Sequence, residues 1–408
     1  MAKTVAEAGW KRQGGRRRGL VSGRMAGAVD DRPVKIGPTV GRWPASSGKN
    51  KRDRQINVDI EKFHGIVGRT MRIRRMKITG RVAVYHCMTR TVNREMLFDD
   101  RAKEMLRRMI WQVADFSGVE VLSYCVMSNH FHVLVRVPDG GEVAVSDREL
   151  LRRYRVLYPK PTGYAQMRME VLEELLRKGG EDAEQVRTRL LARMHDISQY
   201  MKTLKQRFTI WYNRAHGRIG TLWSERFKSV IVEGEVAALQ IVAGYIDLNP
   251  VRAGIVRDPK DYRWSSYGEA VAGSKQAQEG LIAAVDGKTF RRTRSNWEQA
   301  QREYRMYLYC KGVTEAPGKG GGAASLTEKD WQREMQRGGQ IPVAQALRCR
   351  VRYFTDGAVI GSKEFVSEVF KTHRHFFGKR RSTGPRTMKG SDWDGMCVVR
   401  DLRREVFG

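Results

Sequence analysis

The pattern of apolar and polar positions becomes regular only after residue 80. Val82, Val84 and His86 alternate there with Ala83, Tyr85 and Cys87, the two-residue period of a strand. Asn93-Arg94-Glu95 interrupts it. Asp99-Asp100 then offers an N-cap to a helix whose apolar stripe is Leu106, Met109, Ile110 and Val113. A second strand is predicted through Val119 to Met127, a tight turn at Ser128-Asn129, and a third strand through His130-Phe131-His132-Val133-Leu134-Val135. Residues 137–195 read as a helical insertion, with Ser146-x-x-Glu149 at capping-box spacing. The next helix, Ile197 to Ala215, sets Met201, Leu204, Phe208 and Trp211 against a basic face of Lys202, Lys205, Arg207 and Arg214. After a turn at Gly217–Gly220, Phe227 to Val232 predicts another strand. Glu233 then leads into a helix that contains Tyr245 and stops before Pro250. The order β-α-β-β-α-β-α predicts an α+β, ferredoxin-like sheet, with helices on one face and the other open to a flat polymer.

The flanks lack this regularity. Residues 1–75 are basic and rich in Gly, Pro and Ser, the composition of a disordered tail. The tail is either a grip on DNA or an extension upstream of the natural product, because Met71 and Met76 stand just before the ordered pattern. Residues 76–272 form the patterned domain. Residues 273–408 read as a separate, basic and mainly helical region. It holds a helix over Trp297–Cys310, a glycine-rich linker over Gly318–Ala324 and a short helix near Ser362–Phe370 that suits a helix-turn-helix. His373-Arg374-His375 has basic neighbours that repel a cation and reads as surface.

Charge changes the picture more than size does. A net charge of +31 over 408 residues makes a polyanion, nucleic acid first, the expected partner. Cys87, Cys125, Cys310, Cys349 and Cys397 form no Cys-x-x-Cys pair, so reduced thiols are expected rather than a zinc ribbon or a disulfide frame. No apolar run is long enough for a membrane span, and the first residues lack a hydrophobic signal core. A cytoplasmic protein follows as the expectation.

The candidate chemistry sits in two places. On a strand, His130 and His132 project from one face as a pair of imidazoles, a donor type that suits divalent transition metals. On the late helix, Tyr245 and Asn249 are four apart and share a face. The packing alternatives are a polar decoration of the strand, and a helix tyrosine with Asn249 as the C-terminal cap before Pro250. Tyr85, Tyr200 and Tyr212 are rival tyrosines.

In order, Tyr85-His86-Cys87-Met88-Thr89-Arg90 with Asn93-Arg94, Tyr124 through His132, Gly220 through Lys228, Tyr245 through Ala253, and Asp258 through Tyr267 resemble the single-tyrosine HUH transposases, in particular the REP-associated tyrosine transposases of bacteria. The resemblance spans about residues 80–270 and does not reach the tail or most of the C-terminal region. It implies an HUH nuclease core in which His130, His132 and Asn249 hold Mg²⁺ or Mn²⁺ and Tyr245 is the nucleophile. It implies cleavage of single-stranded, hairpin-bearing DNA through a 5′-phosphotyrosine, by a monomer or homodimer at the bacterial nucleoid. Free tyrosine is only about 0.1% ionised at neutral pH, so the ion's field would have to favour the phenolate. Arg90, Arg94, Arg226 and Lys228 are the expected grips on the DNA backbone, and Trp223 either stacks on a base or packs in the core. The competing expectation is a domesticated protein that binds folded nucleic acid without strand transfer.

Overall fold

Alternation along the strands builds the centre of the molecule. The computed structural model describes residues 75–141, 144–160, 166–287, 297–310, 352–389, 393–400 and 402, all within the compact unit Arg69–Gly408. The expected tail up to residue 74 and the Gly318–Ala324 linker lie outside the described residues. Strand β1 (Ala83–Arg90) sends Tyr85 and Cys87 into one apolar cluster and Val84 into another. Strands β2 (Glu120–Val126) and β3 (His130–Val137) divide in the same way: Phe131, Val133 and Val135 join Tyr85, and Leu134 joins Val84. With β4 (Lys228–Val232) they pair antiparallel in the order β2-β3-β1-β4. This is the ferredoxin-like order that the element pattern predicts.

The first face carries the expected helices. Helix α1 (Asp100–Ser117) starts where Asp99 accepts the Ala102 amide at 2.7 Å and stops at Gly118, whose φ of +63° is left-handed. A Cβ at Gly118 would lie 2.5 Å from the Arg153 guanidinium and 2.5 Å from His195, so a side chain is excluded there on two counts. The insertion folds as α2 (Asp147–Leu157), α3 (Met169–Lys178) and α4 (Glu181–Leu191). Ser146 caps α2 as its spacing predicts, while the Glu149 carboxylate turns to Arg152 and Arg153. Helix α5 (Ile197–Ala215) buries Met201, Leu204 and Phe208 against this face.

The second face is not open. It is covered by α6 (Val236–Asp247), the short α7 (Asn249–Arg252), α8 (Ser266–Val271), α9 (Lys275–Asp286) and α10 (Trp297–Cys310). The reason lies in α6. Its residues from Leu239 to Asp247, Gln240 apart, are buried, so it needs neighbours on every side rather than one sheet and solvent.

The C-terminal stretch adds helices α11 (Arg352–Asp356) and α12 (Lys363–Thr372). It also contributes strands that the sequence pattern does not single out. Among the described residues, β5 (Gly357–Gly361), β6 (Arg386–Thr387) and β7 (Cys397–Arg400) extend the sheet to seven strands, β2-β3-β1-β4-β5-β7-β6. β5 lies parallel to β4, with Ile231 beside Val359 and Val232 beside Ile360. This part of the chain is therefore not a separate body. Helix α12 follows a strand and packs on β5 and β7, which is not helix-turn-helix geometry. The Glu233 carboxylate accepts from the Ser362 amide at 2.6 Å and from its hydroxyl at 2.7 Å, tying the end of β4 to the start of α12.

Candidate active site

Strand parity decides what meets on the second face. Even-numbered residues of β1 and β3 point there, and the register sets Met88 opposite His132 and Arg90 opposite His130. His86 therefore joins the two histidines of β3. The His86 and His132 rings lie nearly parallel, 5.1 Å apart, with His86 Nε2 2.9 Å from His132 Nδ1. His130 and His132 meet edge to face at 5.1 Å. The His130 Nδ1 lies 2.7 Å from the Asn129 side-chain oxygen.

Helix α6 brings Tyr245 to the same place. Its ring centre is 5.6 Å from that of His132 and 5.9 Å from that of His86, edge-on to both. Phe354 of α11 stacks on the other side of the phenol ring at 4.1 Å, and the Arg252 guanidinium stands 4.8 Å from the ring centre. Tyr245 is 6% exposed. Arg252 Nη1 is buried and makes no hydrogen bond. Asn249 lies at the helix end, and its amide nitrogen donates to the Tyr245 carbonyl at 2.9 Å and the Ile246 carbonyl at 3.2 Å. Its nitrogen thus caps the helix, as the packing alternative holds, and its oxygen is the atom left for other work.

Electrostatics keep the imidazoles neutral. Burial pushes the His86 pKa from 6.5 down to about 4, with the Phe354 backbone opposing the shift. Burial, then the charge of Arg90, pushes His130 to about 4. His132 is held well below its ordinary value by burial first, then by His86, His130, Arg90 and Arg252. Neutral rings at pH 7 keep a lone pair each, which is what a cation ligand needs. Two such donors on one strand fit a divalent ion that draws its remaining ligands from substrate oxygens and water. Among the described residues no group of three or more His, Cys, Asp or Glu side chains is arranged to hold a metal ion.

The sequence motifs converge around this pocket. The Thr91 amide donates to the Asn129 carbonyl at 2.9 Å, Val92 to Leu222 at 3.0 Å, and Ser224 to Arg90 at 3.1 Å. Arg94 is exposed and left-handed at φ +60°, beside Asn93 at φ +52°, where the loop passes the histidine turn. Arg90 is half-buried and Arg226 exposed; Lys228 pairs with Asp356 at 3.1 Å. Trp223 packs in the core, its indole donating to the Thr209 hydroxyl at 2.8 Å. The rival tyrosines are also core residues. Tyr85 accepts from the Ile78 amide at 2.9 Å, Tyr200 donates to the Ile110 carbonyl at 3.3 Å, and Tyr212 donates to the Leu97 carbonyl at 2.8 Å. The His373 ring nitrogens face backbone carbonyls, Nε2 at 2.9 Å from that of Lys77 and Nδ1 at 3.2 Å from that of Val369. Cys87, Cys125 and Cys397 are buried free thiols.

Sequence reasoning missed His86, Arg252 and Phe354. His86 had a usable signal, since it shares parity with His132 once β1 and β3 are taken as neighbours. Phe354 had none, because its approach depends on the unexpected β4–β5 pairing.

Residues 81–147 match the family model for IS200-like transposases. A solved structure of a REP-associated tyrosine transposase bound to a REP hairpin is 19% identical, with a TM-score of 0.30, covering 49% of this chain and 84% of that one. No curated protein matches the sequence significantly. No helix among the described residues is long and apolar enough to cross a membrane.

Proposed function

We propose, from the match of residues 81–147 to the family model of IS200-like transposases, that the chain cuts and rejoins single-stranded, hairpin-bearing DNA through Tyr245. The observation that carries this reading is the packing of the Tyr245 ring against both His86 and His132, 5.9 and 5.6 Å away, on the face from which His130 also projects. A Mg²⁺ or Mn²⁺ ion held by His130 and His132, with the Asn249 oxygen as a further donor, would polarise the scissile phosphate. The Tyr245 oxygen bonds to phosphorus and loses its proton. The bond from phosphorus to the 3′ oxygen breaks, and that oxygen leaves as a hydroxyl after gaining a proton. One phosphate ester replaces another, so a second 3′-hydroxyl can reverse the step and join a new strand. Arg252, with an unpartnered buried nitrogen beside the phenol, is suited to the phosphate's anionic oxygens. Arg90, Arg94, Arg226 and Lys228 would hold the flanking backbone.

The test is a covalent-adduct assay on a labelled hairpin-bearing single strand with Mn²⁺. The wild-type protein should carry label through denaturation. Tyr245→Phe should carry none while still retaining the hairpin. Adduct formed by the Phe variant would overturn the nucleophile assignment.

A binding-only reading has one observation in its favour. Phe354 stacks on the Tyr245 ring, and the tyrosine is only 6% exposed, so the phenol is little presented to solvent. That reading expects salt-sensitive retention of hairpins and no adduct with any metal.

A further inference from the structure

Each histidine of the β3 pair has its Nδ1 occupied by a neighbouring side chain, and the two neighbours differ in kind. Asn129 is oriented by its own nitrogen, which donates to the Arg94 carbonyl at 3.0 Å. Its oxygen is therefore the atom 2.7 Å from His130 Nδ1, and a carboxamide oxygen only accepts. His130 must then carry its proton on Nδ1, which leaves the lone pair on Nε2.

The His86–His132 contact joins two ring nitrogens, one of which donates. The surroundings of His86 decide which. Its Nδ1 is buried without a hydrogen bond of good geometry, and the backbone of Phe354 is the polar group that acts on the ring. A proton on His86 Nδ1 suits a backbone acceptor, whereas a bare lone pair there would face it. Neutral His86 then has its lone pair on Nε2 and accepts from His132 Nδ1.

We infer that His86 and Asn129 are positioning residues: they fix the Nδ1-protonated tautomer of His132 and His130, so that both Nε2 lone pairs are presented together in the pocket. The inference rests on the reading of His130 and His132 as the cation-holding pair. Ligand histidines in metal sites usually donate their second N–H to a partner that sets tautomer and ring orientation, and losing that partner typically costs 10–100-fold in metal affinity. Here one such partner is a third imidazole, brought by strand β1, whose outer nitrogen is buried. The opposite arrangement, with His86 donating, would put a proton on His132 Nε2. That site would suit a phosphate oxygen and reject a cation.

The test uses the full chain without metal at neutral pH, with ¹⁵N-labelled histidine. Long-range ¹H–¹⁵N spectra report which ring nitrogen carries the proton. Wild-type His130 and His132 should both show Nδ1–H, the less common form of a free imidazole side chain. An Nε2–H signature for His132 overturns the inference, whatever the protein does with DNA. Calorimetric titration with Mn²⁺ is the second arm. His86→Leu should weaken Mn²⁺ binding by about 10–100-fold, while His86→Gln, whose side-chain oxygen can accept from His132, should stay within a few fold of wild type. Asn129→Ala should weaken Mn²⁺ binding and release His130 to the common tautomer. Equal losses in His86→Leu and His86→Gln would show that His86 only packs. If the wild-type protein binds no Mn²⁺ but both tautomers are as expected, the cation reading fails and the positioning role stands. If Mn²⁺ binds and His132 is Nε2–H, the reverse holds.

Discussion

At the scale of single residues, the pocket differs from its sequence description through Arg252. The segment Asn249-Pro250-Val251-Arg252 gives little reason to choose the arginine, since a helix-end arginine is most often solvated. The fold turns it back over the Tyr245 ring at 4.8 Å, and its Nη1 loses water without gaining a protein partner. An unsatisfied buried donor costs about 1–3 kcal/mol, more when charged, and an arriving phosphate would remove that cost. Because charge builds on the phosphate oxygens during attack, the group should matter more to the rate than to binding. Arg252→Gln is expected to slow adduct formation by about 100-fold under saturating DNA, with hairpin retention nearly intact. Rates of adduct accumulation measured beside anisotropy binding curves check this. An unchanged rate would reduce Arg252 to a packing contact. The histidine pair, by contrast, was fully legible, because a two-residue period needs no knowledge of the partner strand.

At the scale of elements, helix α6 sets where Tyr245 points, and a buried carboxyl locks that helix. Asp247 accepts from the Tyr267 amide at 3.1 Å, the Tyr304 hydroxyl at 2.7 Å and the Ser123 hydroxyl at 3.3 Å. These partners come from α8, α10 and β2, so the end of α6 is tied to three elements two residues beyond the phenol. Burial raises the Asp247 pKa from 3.8 to about 7, against the pull of those hydrogen bonds. Between those values the folded protein holds a proton that the unfolded chain has released, so this group's contribution to stability falls as pH rises through the interval. Asp247→Asn removes the effect and keeps an acceptor for the Tyr267 amide. The variant's melting temperature relative to wild type should rise from pH 4 to pH 7 and level off above. The neutral imidazoles act with the opposite sign, since His86 and His130 at about 4 lose stability as pH falls from 6.5. They are common to both proteins and cancel in the difference. A difference that is flat with pH would mean that Asp247 titrates normally. The helix itself was legible from its apolar run before Pro250. Its burial on all sides was not, because an apolar run does not say which neighbours cover it.

At the scale of the whole molecule, the C-terminal residues remain the least legible part, and they alter what the charge can do. Gly357-Ala358-Val359-Ile360-Gly361 is a short buried run with no alternation, and its parallel partner β4 lies far away in sequence, so no local signal marks it. Its arrival places Asp356 against Lys228, while Arg94 stays exposed on its left-handed turn. A net charge of +31 would make binding to nucleic acid steeply salt-dependent, yet the cations would not contribute equally. A cation that contacts phosphate releases counterions and adds about 0.7 to the magnitude of the log–log salt slope on a single strand. Lys228 must first leave Asp356, and its exchange of one anion for another releases fewer ions. Arg94→Ala should therefore lower the slope by about 0.7, and Lys228→Ala by clearly less. In Asp356→Asn, which leaves the lysine only its longer contact with Glu225 at 3.8 Å, a further Lys228→Ala substitution should recover most of the larger effect. Anisotropy titrations of a fluorescent hairpin strand across a sodium chloride series measure wild type and all four variants. Equal slopes for the two alanine variants in the wild-type background would show that the C-terminal segment moves away when DNA binds, and that Lys228 is as available as Arg94.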